Sequence, residues 1–537
     1  MGDPTSSRSD VGAFRPPSLA LAAAVVAAGF FGSRLLGVLR SVAIADAFGT
    51  SPELSAYWVA FRLPDLVFQL LAGATLGSAF IPTFTRIFTQ QSEEEAWRLA
   101  RSVLNLVALA TIAFAVLAAL LAPLLVPIMA PGLGEDTGRQ DELRALAVDL
   151  TRIMMLSPIL FAVSGMFMGI LNARHHFLWP AIAPMVYNLA IIIGALVSDD
   201  VHTLAFAVVA GAGGHLIVQV PVLLAVGMRW RPQANWRDAS VREVGRLMAP
   251  RVLGLAAFQL NLLVTIFFAS TVSDEAISAV NYAFLIMMTP LGLSGMAIGT
   301  AVFPTMAAQA AAGLGELRHT VERSLRVTLF LTVPAAVALM LLSRPLVALL
   351  FEHGDFPEAS TDITQAALLY YAIGLPAHAA IEILSRGFYA LGDTRTPVRF
   401  ALISLVVNLA LCAALVGPLE VRGLALALSV ATIVEALLLA WTLRGRIEGV
   451  DVRGIVRSVG RTAVASAVMA GVVELYLFAL DRAGHFDTSS LLDAFLALAG
   501  SAALGGAVFL AAARALRSEE AEALLSRLPK PPRRAFA

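Results

Sequence analysis

The stretch Ser55-Ala-Tyr-Trp-Val-Ala-Phe61, followed by Gly77-Ser-Ala-Phe-Ile-Pro-Thr83, has a second copy later in the chain. The counterpart is Ser278-Ala-Val-Asn-Tyr-Ala-Phe284, followed by Gly299-Thr-Ala-Val-Phe-Pro-Thr305. Both copies lie in long apolar segments, as expected for a repeated membrane-crossing unit. The duplication therefore predicts two similar halves of one membrane protein.

Two shorter matches extend the repeat on both sides. Ser33-Arg-Leu-Leu-Gly37 corresponds to Pro250-Arg-Val-Leu-Gly254, and Tyr187-Asn-Leu-Ala-Ile191 corresponds to Val407-Asn-Leu-Ala-Leu411. Apolar segments one to six thus recur as segments seven to twelve. Because each copy has an even number of segments, both copies enter the membrane from the same side. Such parallel repeats typically enclose a central cavity between two helical bundles.

The composition indicates a chain that lies mostly in lipid. It is 58% hydrophobic and 14% charged, with a mean hydropathy of +0.80, whereas soluble domains have about 25% charged residues. Apolar runs of about 20 residues cross a hydrocarbon core of roughly 30 Å. We therefore expect an all-α polytopic membrane protein of about 14 transmembrane helices. The predicted spans are 19–47, 54–88, 97–130, 144–172, 177–198, 202–228, 243–271, 276–310, 323–351, 363–391, 398–417, 422–443, 461–480 and 491–513.

Charged residues in the connecting segments predict the orientation. Alternate connections carry arginines, such as Arg86, Arg174 and Arg318, while the others carry acids, such as Asp199 and Glu275. Arginine-rich short loops are typically cytoplasmic. Both termini are therefore expected in the cytoplasm.

The repeat and the orientation together predict six regions. They are a cytoplasmic N-terminal tail (1–18), a first six-helix lobe (19–228), a cytoplasmic inter-lobe linker (229–242), a second six-helix lobe (243–445), transmembrane helices 13 and 14 (446–516) and a cytoplasmic C-terminal tail (517–537).

Three arginines inside or near spans are candidate functional residues. Arg34 and Arg40 lie in span one, and Arg251 is the repeat partner of Arg34. A lipid-facing arginine at the bilayer centre costs about 2.5–3.5 kcal/mol, so these side chains should face protein or water. They could line a cationic cavity that binds phosphate oxygens, or they could pair between helices or reach an interface. Arg34 and Arg40 differ by about 240° in helical phase, so they would reach a shared cavity from its two sides.

Other intramembrane charges have simpler explanations. Glu382 and Arg386 are four residues apart, a spacing that favours a structural pair, with a gating role as the alternative. Arg62 and Asp65 flank Pro64 and have the same explanation.

No catalytic or cofactor motif is evident in the sequence. It contains no nucleotide-binding fingerprint, zinc-ligand helix or nucleophile elbow in the required context, and its one cysteine is Cys412. We therefore expect no enzyme activity, no cofactor, no metal and no nucleic-acid partner.

Several stretches resemble the MurJ (MviN) family of lipid II flippases, in the multidrug/oligosaccharidyl-lipid/polysaccharide exporter superfamily. The most specific is Arg386-Gly-Phe-Tyr-Ala-Leu-Gly-Asp-Thr-Arg-Thr-Pro397. Similar stretches are Ser33-Arg-Leu-Leu-Gly-Val-Leu-Arg40, Gly169-Ile-Leu-Asn-Ala-Arg174 and Leu349-Leu-Phe-Glu-His-Gly-Asp-Phe356. The resemblance covers residues 19 to about 445.

The resemblance implies a fourteen-helix carrier in the bacterial cytoplasmic membrane. Its substrate would be an undecaprenyl-diphosphate-linked glycan lipid, moved from the inner to the outer leaflet for cell-wall synthesis. Arg34 and Arg40 match motif positions that contact the diphosphate, and Ser33 and Arg251 complete the predicted substrate-binding set. The last two spans would form a groove for the lipid tail. Expected partners are membrane lipids and the cell-wall synthesis machinery.

The sequence departs from the family at span eight. Phe284, Leu285 and Met288 stand where family members carry charged residues. The expected mechanism is alternating access between two lobes. The alternatives are a flippase for another polyprenyl-linked glycan, a drug exporter of the same superfamily, a membrane-embedded transferase, and a scaffold without transport.

Overall fold

The computed structural model describes residues 19–71, 74–447, 449–484 and 490–526, and every regular element in these ranges is helical. The all-α prediction is confirmed. The predicted tail 1–18 and residues 527–537 lie outside the described residues. The first half of the chain contains α1 (Leu19–Phe48), α2 (Pro52–Leu71), α3 (Ala74–Gln90), α4 (Glu93–Met129), α5 (Gln140–Met154), α6 (Leu156–Ala173), α7 (Leu178–Val197), α8 (Val201–Ile217) and α9 (Val220–Ala225).

The second half repeats this series and adds helices at its end. A π-helical turn, Gly292–Met296, joins two of them. The helices are α10 (Ala239–Ser270), α11 (Asp274–Leu291), α12 (Ala297–Ala312), α13 (Leu314–Leu341), α14 (Ser343–Phe351), α15 (Glu358–Ala390), α16 (Arg395–Arg446), α17 (Val452–Arg482), α18 (Leu491–Ala515) and α19 (Glu519–Ser526).

Eleven helical segments among the described residues are long and apolar enough to cross a membrane. One of them, α16, covers two predicted spans, 398–417 and 422–443. These two spans are separated by a kink at Glu420, where φ is +50°. The described residues of the predicted spans 54–88 and 243–271 are helical, but these spans fall outside this set. The number fourteen therefore stays a prediction, while the polytopic helical fold is established.

Helix packing follows the sequence repeat. In the first lobe α1 packs along α7 and α2 packs along α5, and in the second lobe α10 packs along α16 and α11 along α15. The two copies of the sequence unit thus make the same helix pairs. This agreement supports the predicted two-lobed architecture.

Polar side chains fix where several helices begin. Ser92, Asp238, Ser273 and Asp451 each accept a hydrogen bond from a backbone N–H in the first turn of the following helix. Such caps contribute about 1 kcal/mol each because they satisfy donors that have no partner inside the helix.

Buried apolar residues form separate cores at the two ends of the molecule. We call the end with the α1–α2, α4–α5, α10–α11 and α14–α15 connections the outer end, and the opposite end the inner end. The largest core lies toward the outer end and combines both lobes, with Ile44 and Leu143 beside Ile277 and Phe351. The inner end has two cores, one around Phe84 in the first lobe and one around Phe388 in the second.

Helix α10 connects the lobes at the inner end. Its first turns contribute Val241 and Val244 to the first-lobe core, while its later turns pack along α16. The linker before it lies against α4, where the Asn105 amide donates to the carbonyls of Arg231 and Gln233 at 2.9 and 3.0 Å.

The C-terminal helices attach to the second lobe. Helix α17 packs on α13, and α18 packs on α14 and α17. Met469 and Phe509 form a small core with Phe330 of α13. Glu520 of α19 accepts hydrogen bonds from Ser458 and Ser518, both at 2.7 Å, which ties α19 to α17.

Candidate functional site

Arg34 extends from α1 of the first lobe to the second lobe. Its guanidinium occupies the space beside Gly292, where a β carbon would lie 2.2 Å from Nη1 and 2.3 Å from Cζ. Nη2 approaches the Met296 sulfur at 3.9 Å, and Cζ lies 5.1 Å from the centre of the Phe30 ring. No ion pair to Arg34 is found among the described residues, and the side chain is only partly buried. Arg34 therefore places an uncompensated positive charge where the lobes meet.

Arg40 and Ser33 line a cavity of about 570 Å³ inside the first lobe. The Nε atom of Arg40 is buried and has no hydrogen-bond partner among the described residues. The two span-one arginines thus reach different places, since Arg34 reaches the second lobe and Arg40 the first-lobe cavity.

Other polar residues of this cavity were missed by the sequence analysis. Asn188 lies in the cavity wall and donates from Nδ2 to the Ser33 carbonyl at 3.3 Å. Its position in the Asn-Leu-Ala stretch that recurs at Asn408 was a signal that could have identified it. The remaining polar lining residues are Asp65, Gln69, Ser157, Asn172, Tyr187 and His215. Together with the rings of Phe61, Phe68 and Phe161, they provide the mixture of amides, hydroxyls and aromatic faces that suits a polar head group.

A hydrogen-bonded trio supports the wall of this cavity. Ser164 Oγ lies 2.6 Å from His215 Nδ1, and Gln219 Nε2 donates to Ser164 Oγ at 2.7 Å. These groups hold α6 against α8. Ser164 and His215 therefore hold two helices together. Among the described residues, no carboxylate orients His215 as a base that would activate Ser164 as a nucleophile.

Arg62 and Asp65 contact the second lobe. Arg62 Nη2 donates to the side-chain oxygen of Asn281, and Gln259 Nε2 donates to Asp65 Oδ2 at 3.4 Å. Gln69 also approaches Asp65, at 3.5 Å. Their structural pairing stays a prediction, and each residue also forms a polar link between the lobes.

Glu382 and Arg386 form an ion pair within α15. Arg386 Nη1 also donates to the Glu382 carbonyl at 2.6 Å, and Nη2 donates to Thr300 of α12 at 3.3 Å. The pair thus connects two helices of the second lobe, and its predicted structural or gating role stays a prediction. Arg251 lies in α10, but its side chain is outside the described part of the chain.

Phe284, Leu285 and Met288 pack against the core that both lobes share. The Phe284 ring lies 5.8 Å from that of Tyr371 in an edge-to-face arrangement. These residues therefore give this stretch of span eight apolar packing.

The outer end holds a first contact between short connections of the two lobes. The Asp355 N–H donates to the Asp46 carbonyl at 2.8 Å, and the hydroxyls of Thr50 and Ser360 lie 2.6 Å apart. A β carbon on Gly354 would lie 2.2 Å from the Asp46 carbonyl oxygen, so the backbones touch directly.

A second contact repeats the first with the lobes exchanged. Asp274 accepts hydrogen bonds from the Gly134 N–H at 2.6 Å and the Thr137 hydroxyl at 2.9 Å. The Gly132 N–H donates to Ser270 Oγ at 3.2 Å, and a β carbon on Gly132 would lie 2.2 Å from the Ser270 carbonyl oxygen. We call these two contacts together the outer seam.

A larger cavity of about 1070 Å³ lies between α12, α13, the start of α17 and α19. Its floor is apolar, with Val302, Val327 and Phe330, and its edge carries charged residues. Arg326 bridges Asp451 and Glu519 at this edge, at 3.5 and 3.7 Å. The additional C-terminal helices thus create an amphipathic space on the side of the second lobe.

Two helical lobes, a seam that closes one end and arginines placed between and within the lobes define a membrane transporter. The family model described as "Lipid II flippase MurJ" matches residues 44–493, so the chain belongs to this family. No group of three or more metal-binding side chains is found in the part of the chain that the structure describes.

Relatives agree with this assignment. The chain is 32% identical to "Lipid II flippase MurJ" of Burkholderia cenocepacia, over 87% of this chain and 92% of that protein. It is also 32% identical to "Probable lipid II flippase MurJ" of Rhizobium meliloti, over 91% of this chain and 92% of that protein.

Solved structures share the fold. "Lipid II flippase MurJ, inward closed conformation" aligns with a TM-score of 0.75 at 24% identity, covering 94% of this chain and all of that one. An inward-facing multidrug resistance MATE family transporter of the MOP superfamily aligns with a TM-score of 0.62 at 18% identity, covering 77% and 94%.

Proposed function

We propose that this protein flips lipid II from the inner to the outer leaflet of the cytoplasmic membrane. The observation that carries the proposal is Arg34, an unpaired cation in a predicted membrane span, placed where the two lobes meet. A charge in this setting is costly unless it meets an anion or water. The diphosphate of a lipid-linked glycan supplies such an anion.

The predicted substrate-binding residues lie in two places and bind different parts of the substrate. Arg34 holds diphosphate oxygens at the lobe interface, because a guanidinium donates two parallel hydrogen bonds to such groups. Arg40 and Ser33, in the first-lobe cavity, bind the polar head group. The prenyl tail stays in an apolar setting, for which the cavity between α12, α13 and α19 has a suitable floor. No covalent bond changes in this process.

Movement of the head group requires the lobes to separate at the outer end. In the structure the outer seam is closed and the two inner cores are distinct. We propose that the seam opens after the substrate has bound from the inner side. We propose that both termini lie in the cytoplasm, as the arginine-rich connections predict.

The proposed experiment is rescue of a bacterium depleted of its own lipid II flippase. Wild type should restore growth, and Arg34→Ala should fail at equal membrane abundance, because the diphosphate loses its cationic partner. Arg34→Lys is the matched control, since it keeps the charge without the planar fork, and it should give partial rescue.

Failure of well-expressed wild type would reject lipid II as the substrate. The remaining candidates would then be another polyprenyl-linked glycan, a drug, or a scaffold role. The packing of Phe284, Leu285 and Met288 is the feature that would favour a scaffold, because it leaves this stretch of span eight without charge.

A further inference from the structure

Span eight changes its helical geometry opposite Arg34. The π-helical turn Gly292–Met296 separates α11 from α12, one residue after Leu291 and two after Pro290. Ser294 Oγ donates to the Pro290 carbonyl at 2.6 Å and satisfies one acceptor at this turn. Turns of this kind inside α-helices occur frequently at functional sites.

The turn presents bare backbone to the guanidinium. An added β carbon on Gly292 would lie 2.2, 2.3 and 2.4 Å from Nη1, Cζ and Nη2 of Arg34. The same guanidinium is bordered by the Phe30 ring and the Met296 sulfur. Any side chain larger than hydrogen at position 292 would therefore occupy the space that the guanidinium now fills.

We propose that Gly292 is a positioning residue for the diphosphate site, because its missing side chain lets the Arg34 guanidinium rest against the second lobe. Span eight then contributes a backbone surface to the site, although Phe284, Leu285 and Met288 bring no charge to it. The inference rests on the proposed function, in which Arg34 binds the diphosphate.

Neighbouring glycines on the same span have different surroundings. A β carbon on Gly295 would lie 2.9 Å from the Ala379 backbone, so Gly295 permits close packing of two helices. A β carbon on Gly299 would lie 2.8 Å from Arg386, which is already paired with Glu382. Gly292 alone among these three faces the end of an unpaired side chain. An added methyl group there would move Arg34 rather than the helix.

The test compares Gly292→Ala with Gly37→Ala. Gly37 lies one turn from Arg34 in α1 and has no atoms within 4 Å of an added β carbon. Gly37→Ala therefore adds the same methyl group without displacing the Arg34 side chain. Undecaprenyl diphosphate is titrated against each purified full-length variant. We expect Gly292→Ala to fold normally, with an unchanged unfolding temperature, and to bind roughly tenfold more weakly, the order of one charge-assisted hydrogen bond. Gly37→Ala should bind as wild type does.

A double-mutant cycle distinguishes an effect of Gly292→Ala that acts through Arg34 from a general disturbance of the helix. If Gly292 acts through Arg34, then Gly292→Ala should cause no further loss in an Arg34→Ala background. Unchanged binding by Gly292→Ala, or equal losses in both backgrounds, would overturn the inference while leaving the flippase function intact. Failure of wild type to bind the diphosphate or to rescue cells would instead overturn the proposed function and the inference with it.

Discussion

The outer and inner ends of the molecule are closed by different means. At the outer end, short connections of both lobes touch through backbone groups and small side chains above one shared core. At the inner end each lobe has its own core, and within the described ranges α10 joins them, with an exposed ion pair between Arg86 and Glu243. The difference indicates that the structure is closed at the outer end, where the contacts of the outer seam oppose separation of the lobes.

The outer seam is built twice, as the sequence repeat requires. Gly354 meets the Asp46 carbonyl, and Gly132 meets the Ser270 carbonyl, in both cases at 2.2 Å from an added β carbon. Each lobe therefore contributes one glycine connection and one carbonyl. Four changes would test this contrast between the ends.

The largest effect is expected for Gly354→Ala. Its φ of +55° is strained for alanine, and its β carbon would collide with the Asp46 backbone, which together should cost roughly 2–5 kcal/mol. Gly138→Ala is the matched control, because Gly138 also has a positive φ, +68°, but open space around it. The unfolding temperature should fall clearly further for Gly354→Ala. Equal losses would show that only backbone strain matters and that the seam contact contributes nothing.

A smaller effect is expected for Asp274→Ala. The change leaves the Gly134 N–H and the Thr137 hydroxyl without their acceptor, a cost of about 1–3 kcal/mol for buried groups. The seam should open more often, so a cysteine at Ser55, which is fully buried beside it, should react faster with a membrane-impermeant thiol reagent. Glu275→Ala, at the exposed neighbouring position, should leave that rate unchanged. Slow labelling in Asp274→Ala would contradict a gating role for the seam.

Acid should weaken the seam through Asp136. Burial raises the pKa of Asp136, but the hydrogen bond that it accepts from the protonated Asp274 carboxyl, together with those from backbone N–H groups, outweighs burial and holds the pKa below its usual value. A carboxyl with a lowered folded-state pKa stabilises the fold above its ordinary pKa of about 3.9 and loses this contribution as the pH falls through the lowered value. The unfolding temperature should therefore drop more steeply below about pH 4 in wild type than in Asp136→Asn. Parallel pH profiles would show that Asp136 does not contribute.

The smallest effect is expected at the inner end. Arg86→Ala removes the ion pair with Glu243, but both side chains are exposed to solvent, which screens the interaction, so the loss of stability should be the smallest of the four. The unfolding temperature and the labelling of Ser55→Cys should change little. A fall in the unfolding temperature as large as that of Gly354→Ala would contradict this comparison. It would show that contacts at the inner end stabilise the closed structure as strongly as the outer seam does.

Sequence patterns anticipated the membrane-spanning helices and the two-lobed plan. They also identified Arg34 and Arg40 as charges that must avoid lipid, because the cost of exposing them is local. They indicated that Arg40 could line a cavity, but not that Asn188 and His215 would line that cavity with it. Those residues are isolated in the sequence and meet only after α1, α7 and α8 have packed.

The seam and the glycine at position 292 illustrate the same limit. Gly354 lies within the stretch Leu349–Phe356 that resembles the family, but its contact with Asp46 joins residues from opposite halves of the chain. The span-eight substitutions indicated lost charge, yet the structure shows Gly292 receiving Arg34 from the first lobe.

The sequence by itself determined that this protein lies in the membrane as two related helical lobes, because lipid requires long apolar helices and the duplication is written in their residues. The tertiary structure alone decided which end is closed, and that Arg34 rests on Gly292 while Arg40 enters the first lobe. These features depend on contacts between segments that are far apart in the sequence. A local pattern of hydrophobicity or charge does not specify which distant segments come into contact.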